Sequence, residues 1–308
     1  SVVRPVRLRG SLALFVAAFI WGTTFVAQSV GMEGIGPFTY GAARYVVAVP
    51  VVLLLWLFFA PKRRAAKAAG TYRPGFKAGA LVGVILFLGT TSQQVGMQYT
   101  TVGKTAFITC LYLVLVPLAA VFFGSRIRPL HWGGAVLALS GLYLLSMKDG
   151  FSLSYGDAIM VGSSLLWTMH ILCVGRFASF VDAVELSLAQ LFVCACASLA
   201  LAFLFEQPTV AGIEGAATAI LYAGIMSSGV AFTLQIVGQQ YAEPALAAVI
   251  MSLESVFGAL SGAILLGESM SAAELSGCAL MLAGMLLAQL AGVWGMKRPR
   301  TEGENGTN

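Results

Sequence analysis

The sequence predicts an all-α integral membrane protein of ten transmembrane helices, arranged as two inverted five-helix repeats, and three observations predict it. First, 58% of the 308 residues are hydrophobic and only 10% are charged, whereas soluble domains carry about 25% charged residues. No soluble interior could hold that much apolar surface. Second, uninterrupted apolar windows recur along the chain, each close to the roughly 20 residues that a helix needs to cross about 30 Å of hydrocarbon. Third, the second half of the chain repeats features of the first. An outer-membrane barrel would instead show alternating segments of about ten residues, and these are absent.

The apolar windows fall at 11–30, 38–60, 76–97, 103–123, 130–147, 157–177, 184–205, 214–238, 245–266 and 272–293. The first follows Arg4, Arg7 and Arg9 and runs to full spanning length without a small-residue cleavage site, so it reads as a span and not as a signal peptide. Arg44 lies in the second, ahead of a basic loop at 61–75. The third ends in Gln93 and Gln94, with Gln98 and Tyr99 just beyond it. Gly103 and Lys104 open the fourth, which contains Cys110 and Tyr112. His131 begins the fifth. The sixth carries Trp167 and His170, the seventh Gln190, and the eighth Gln235 with Gln239 and Gln240 just beyond it. Glu254 lies about ten residues into the ninth, and a polar tail from 297 to 308 follows the tenth. Thirty-five glycines suit helices that pack closely within lipid. The five cysteines, Cys110, Cys173, Cys194, Cys196 and Cys278, all lie in apolar stretches and read as packing residues, with no disulfide framework or metal motif.

Charge sets the direction of these spans. With the amino terminus in the cytoplasm, fifteen of the eighteen basic residues lie on that side, including the run Lys62, Arg63, Arg64, Lys67, Arg73 and Lys77. Lys148 alone remains in an opposite loop. Both termini are therefore expected in the cytoplasm of a cell inner (plasma) membrane. The net charge of +5 follows this distribution and is no sign of nucleic-acid binding.

A shift of 146 residues carries Trp21 onto Trp167, Thr24 onto His170 and Arg44 onto Gln190. Further on the shift becomes 142, and Val95-Gly96-Met97-Gln98-Tyr99-Thr100 matches Val237-Gly238-Gln239-Gln240-Tyr241-Ala242 at four of six positions. The repeats are expected over 11–147 and 157–293. A five-helix repeat inserts its second copy from the opposite side, and inverted repeats give a physical route to alternating access.

Several short motifs add a family likeness. They are Trp21-Gly22-Thr23-Thr24-Phe25-Val26-Ala27, Ala43-Arg44-Tyr45, Ala106-Phe107-Ile108 leading to Val116-Pro117, and Leu266-Gly267-Glu268. In this order the chain resembles the EamA-like branch of the drug/metabolite transporter superfamily over nearly its whole length. The resemblance implies ten helices around a central cavity between the halves, and transport of small metabolites, frequently as export of amino acids or related compounds. One departure stands out: the family's ninth span often reads Glu-Pro, and here Glu254 precedes Ser255. Without proline this helix is expected to be straighter than in relatives.

Candidate site residues are the polar and aromatic members of the spans. An ionised carboxylate near the bilayer centre costs about 2.5–3.5 kcal/mol, so Glu254 has to face the interior or a wet cavity. It is the candidate proton-coupling residue; the structural alternative joins helices through Ser252 or Ser255. Arg44, about 10 Å deep, suits an anionic substrate group, or else is satisfied by helix-end carbonyls or Glu33. Lys104 sits at a helix amino terminus, where the dipole disfavours a cation, so it suits a substrate carboxylate or snorkels to the interface. Trp21 and Trp167 either stack on substrate or pack equivalent places in the halves. Gln94, Gln98, Tyr112, His170 and Gln235 complete the set as cavity polar groups or interhelical bonds.

The expected function is secondary transport of a small organic metabolite, amino-acid-like or a related anion or zwitterion, by exchange or coupled to protons. A lipid-handling carrier of the same fold is the alternative. An integral-membrane enzyme is disfavoured because its two histidines stand in separate spans without an acidic partner. A channel is disfavoured by the lack of a filter or charged ring. No Gly-x-x-x-x-Gly-Lys motif, cofactor site or metal site is expected.

Overall fold

Burying backbone polar groups in lipid leaves the helix as the element that satisfies them within one segment, and every regular element among the described residues is helical. The computed structural model describes residues 3–99, 102–124, 126–146, 155–267 and 269–294, with the side chains at 3–7, 102–104, 106, 146, 266, 289 and 291–294 outside that set. In order they form α1 (Val3–Gly31), α2 (Pro37–Phe58), α3 (Ala60–Ala68), α4 (Phe76–Gly96), α5 (Val102–Thr109), α6 (Tyr112–Phe122), α7 (Pro129–Ser146), α8 (Tyr155–Phe177) and α9 (Ala183–Phe205). Then come α10 (Val210–Gly215), α11 (Ala217–Tyr222), a π-helix (Ala223–Ala231), α12 (Phe232–Gln239), α13 (Pro244–Met251), α14 (Glu254–Leu266) and α15 (Ala272–Trp294). Lys148 and the tail at 297–308 lie outside the described residues.

Seven rods among the described residues are long and apolar enough to cross a membrane: α1, α2, α4, α8, α9, the α11–π–α12 rod and the α13–α14 rod. Shorter apolar helices at Phe107–Phe122, Pro129–Leu145 and Ala272–Ala288 fall within the expected fourth, fifth and tenth spans. The surface is inside-out relative to a soluble protein. Phe58, Phe122 and Ile264 are 76%, 87% and 78% exposed, while His170 and Gln190 are fully buried. Apolar side chains face outward where lipid would meet them, and amides face inward where they find partners.

Three expectations are corrected. The fourth and ninth spans are not continuous: α5 gives way to α6 at Cys110–Leu111, and α13 to α14 at Ser252–Leu253. The ninth is therefore broken beside Glu254 without a proline. There the backbone tightens into i→i−3 bonds, with Leu253 N–H donating to the Ile250 carbonyl (3.2 Å) and Ser255 N–H to that of Ser252 (3.2 Å). The basic loop at 61–75 contains a helix, α3, with Pro61 in its first turn, where the missing N–H costs nothing.

The pairings of helices come in matched sets. α4 packs on α8 and α9, and the rod containing the π-helix and α12 packs on α1 and α2; α5 and α6 meet α8, while α13 and α14 meet α1. Two pairs join counterparts directly, α2 with α9 and α7 with α15. Gly41 faces Ser198 while Trp56 reaches Glu185, so α2 and α9 run antiparallel. Gly141 meets Gly277 and Gly134 meets Gly284, so α7 and α15 do too.

At the α7–α15 crossing the backbones touch. A Cβ on Gly141 would come within 2.4 Å of the Gly277 carbonyl oxygen, and one on Gly277 within 2.5 Å of that of Gly141. Both obstacles are backbone and cannot step aside. Gly141→Ala and Gly277→Ala should each destabilise the fold by about 1–3 kcal/mol through overpacking, read as a lowered unfolding temperature in detergent. An unchanged temperature for both would mean that the helices separate freely.

Candidate functional site

A cavity of about 520 Å³ opens where α1, α2, α4, α8, the π-helix, α12 and the two broken rods converge. Of the residues expected from sequence, Trp21, Arg44, Tyr112, Trp167, Gln235 and Glu254 line it together. Gln94 lines a second, smaller pocket. His170 lines neither and sits fully buried behind the wall. Gln98 is corrected as a wall residue: it lies exposed beyond the end of α4 and borders neither chamber, because the helix stops at Gly96. Lys104 is on α5, with its side chain outside the described residues.

Aromatic rings form one wall. Phe232 lies between the two tryptophans, stacked on Trp167 at 6.1 Å with planes 9° apart and tilted against Trp21 at 5.2 Å. Trp21 is fixed by donating its indole N–H to the Ser227 carbonyl (3.2 Å). The Trp167 Nε1 and the Gln235 Oε1 are buried without a protein partner, so one donor and one acceptor on residues of this wall are unused.

Arg44, 4% exposed, enters from α2. Its Nε donates to the Ser228 hydroxyl (2.9 Å) and its Nη2 to the Ser227 hydroxyl (2.8 Å), and it sits 5.4 Å over the Tyr45 ring. Both serines belong to the π-helix. Neither Glu33 nor helix-end carbonyls hold it. Among the described residues no carboxylate lies within ion-pair distance of Arg44.

Glu254 begins α14, where the helix dipole favours a negative group. Its Oε1 accepts a hydrogen bond from the Tyr112 hydroxyl (2.8 Å), with the Cys110 thiol 3.4 Å away. Cys110 Sγ also lies 3.0 Å from the Ser255 hydroxyl. The shift of 142 that aligns the later parts of the halves carries Cys110–Leu111 onto Ser252–Leu253 and Tyr112 onto Glu254. The two helix breaks are thus counterparts, and the bond between them joins two equivalent positions.

Behind the aromatic wall runs an amide chain. His170 Nε2 lies 3.1 Å from Gln190 Oε1, Gln235 Nε2 lies 3.5 Å from His170 Nδ1, and Gln235 Nε2 donates to Gln239 Oε1 (2.9 Å). His170 therefore makes the interhelical bonds that were its structural alternative. Thr24, Phe25, Gln28, Thr90, Thr109, Ser227 and Phe232 also line the cavity and were missed. An adjacent pair of serines, Ser227 and Ser228, inside an apolar span was the one signal that pointed to a partner for Arg44.

The basic segment builds a separate cluster at the start of α9. The Glu185 carboxylate accepts from the Tyr72 hydroxyl (2.7 and 2.8 Å), Trp56 Nε1 (3.2 Å) and Gly75 N–H (3.0 Å), with Arg63 Nε at 3.8 Å. Desolvation and the hydrogen bond it donates to the Glu185 carboxylate push the Tyr72 hydroxyl up to about 12, so it remains a donor throughout the neutral range.

The EamA-like transporter family model matches the chain twice, over residues 8–147 and 154–290. An uncharacterized transporter from Archaeoglobus fulgidus is 30% identical over 288 residues, 92% of this chain and 87% of that protein. The uncharacterized inner membrane transporter YedA of Escherichia coli is 24% identical over 275 residues, 85% of this chain and 84% of that protein. The aromatic amino acid exporter YddG of Ancylobacter novellus is 26% identical over 206 residues, 61% of this chain and 67% of that protein. One solved structure superposes with a TM-score of 0.75 at 21% identity, over 94% of this chain and 99% of its own, which is a likeness of fold.

Proposed function

Because the chain belongs to the EamA-like transporter family, we propose that it is a secondary carrier for a small organic zwitterion or anion with an aromatic or apolar body, working by alternating access in a cell inner membrane. The observation that carries this reading is Arg44, a buried cation on the wall of an aromatic cavity with no carboxylate partner among the described residues. A charge is costly to bury alone, and a substrate carboxylate would complete it. Glu254 lines the same cavity and would receive an ammonium group or a proton. The name of the YddG relative, an aromatic amino acid exporter, supports an aromatic amino acid as the first solute to test.

Ten spans in two inverted repeats remain our reading of the architecture. It is supported by the double family match, by the matched helix pairings and by the antiparallel α2–α9 and α7–α15 counterparts. Exchange of the conformations of the halves would then open the cavity to the other side. Tyr112 and Glu254, being each other's counterparts, would keep their bond through that exchange.

Proteoliposomes preloaded with unlabelled L-tryptophan should take up labelled L-tryptophan by exchange, and should not take up tryptamine, which lacks the carboxylate. Equal uptake of both, or no exchange of any aromatic amino acid, would overturn the substrate reading. For orientation, Arg64→Cys in a cysteine-free background should resist an impermeant maleimide added outside intact cells and react after the membrane is opened. Reaction in intact cells would reverse the assignment of both termini to the cytoplasm.

A further inference from the structure

A backbone carbonyl can only accept a hydrogen bond, and one such carbonyl sets the direction of the amide chain behind the aromatic wall. The Ile171 carbonyl on α8 lies 2.8 Å from Gln239 Nε2, which is therefore the donor. That fixes the Gln239 amide and leaves its Oε1 to accept from Gln235 Nε2 (2.9 Å), one turn earlier on α12. The other hydrogen of Gln235 Nε2 has His170 Nδ1 at 3.5 Å. The imidazole accepts there and carries its proton on Nε2, where Gln190 Oε1 receives it (3.1 Å). Both hydrogens of the Gln235 amide are thus committed to His170 and Gln239, which do not line the cavity. Turning the amide over would set oxygen against oxygen at Gln239. What remains for the cavity is Gln235 Oε1, an acceptor without a protein partner on a buried lining residue. At a shift of 142 its counterpart is Gln93, which lines the same cavity but donates to the Thr109 hydroxyl (3.1 Å), a group that donates or accepts and so sets no direction.

We propose that Gln235 Oε1 receives the ammonium group of a zwitterionic solute and is the atom by which the cavity tells an amino acid from a plain carboxylate. This assignment rests on the reading of Arg44 as carboxylate partner given above. Amides linked head to tail polarise one another, and the chain that starts at Ile171 ends with its negative pole at this oxygen. An anion is repelled there, and a cation with spare N–H donors is attracted. Trp167 and Phe232 stand in the same wall, and aromatic faces also favour a cation. Arg44 lines the cavity from α2, so the two charged groups of an amino acid find separate partners and Glu254 is left for the proton. A solute with no ammonium group would cover this oxygen without pairing it, which is unfavourable for a buried acceptor. Gln239 is then a positioning residue, acting through the direction it imposes on Gln235.

Equilibrium binding to the purified full chain tests this with L-tryptophan, with 3-indolepropionate, which lacks the ammonium group, and with tryptamine, which lacks the carboxylate. The native chain should prefer L-tryptophan to 3-indolepropionate by about tenfold or more, the worth of a hydrogen bond to a charged group. Gln235→Leu should abolish that preference by weakening L-tryptophan. Gln239→Leu leaves every lining residue in place but frees the Gln235 amide to turn, so it should narrow the preference, and it carries the test if Gln235→Leu does not fold. A preference that survives these variants, or a loss that weakens both ligands equally, overturns the assignment. It also fails if Gln235→Leu removes discrimination between L-tryptophan and 1-methyltryptophan, since the oxygen would then serve the indole N–H. If tryptamine binds the native chain as tightly as L-tryptophan and Gln235→Leu weakens it, the carboxylate reading of Arg44 fails and the ammonium site stands. A native chain that binds none of the three overturns both.

Discussion

Glu254→Gln is expected to separate exchange from accumulation. A pH difference of one unit is worth about 1.4 kcal/mol per proton, so a carrier coupled to one proton sustains roughly a tenfold solute ratio across the membrane. With glutamine at 254 that ratio should fall to about one, while exchange of labelled for unlabelled solute continues. Glutamine keeps the shape and accepts the Tyr112 hydrogen bond through its carbonyl oxygen, so the junction of the broken helices survives. What it loses is the ability to bind and release a proton inside the cavity, and a group whose proton affinity differs between two conformations ties their equilibrium to pH. The measurement is uptake into liposomes with and without an imposed pH gradient. A gradient that still drives accumulation in the glutamine variant, or that drives none in the native chain, would reject the coupling role.

Arg44→Gln is expected to weaken binding of L-tryptophan by about 2 kcal/mol or more, a factor of about thirty, because truncating one partner of a buried charge pair strands the other. Folded yield should hold, since the two partners left behind are the neutral hydroxyls of Ser227 and Ser228, which an amide can still satisfy. Arg44→Lys should fall between, because a point ammonium keeps the charge but not the fork that reaches two serines. Equilibrium binding of labelled L-tryptophan to purified protein reads all three. An Arg44→Gln variant that binds as the native chain does would make this arginine a helix-packing residue only.

Much of this was legible in the sequence because of the solvent it is built for. In a span of apolar residues each polar side chain stands out, and Arg44, Tyr112, Gln235 and Glu254 meet at one cavity with Trp21 and Trp167. Thr24, Thr90, Thr109 and Phe232 did not stand out, since threonine and phenylalanine are ordinary packing residues of a membrane helix and only the third dimension gives them a cavity face. The breaks at Cys110–Leu111 and Ser252–Leu253 were hidden for a related reason. Neither carries the proline or glycine that marks an interruption, and each is held by contacts with the other, among them the Tyr112–Glu254 bond. Gln98 misled because polarity at the end of an apolar window reads the same whether the helix continues or stops.

The π-helix has a meaning that only the comparison of halves brings out. Gly83 lies against Gln190 and Val193, and Gly224 against Arg44 and Val47. These contacts correspond, with the two glycines 141 residues apart, whereas Gln93 and Gln235, beyond the π-helix, are 142 apart. The second half therefore contains one surplus residue between these points, and it falls in the rod where the wide turn lies, Ala223–Ala231. A π ring closes over one residue more than an α ring, so the surplus is absorbed on the spot, like a frameshift corrected within a turn. Upstream and downstream the two halves keep matching contacts. Inside the turn they differ, and the difference is where the hydroxyls of Ser227 and Ser228 reach Arg44. A single inserted residue thus leaves the matched contacts of the halves in place while making their chemistry differ.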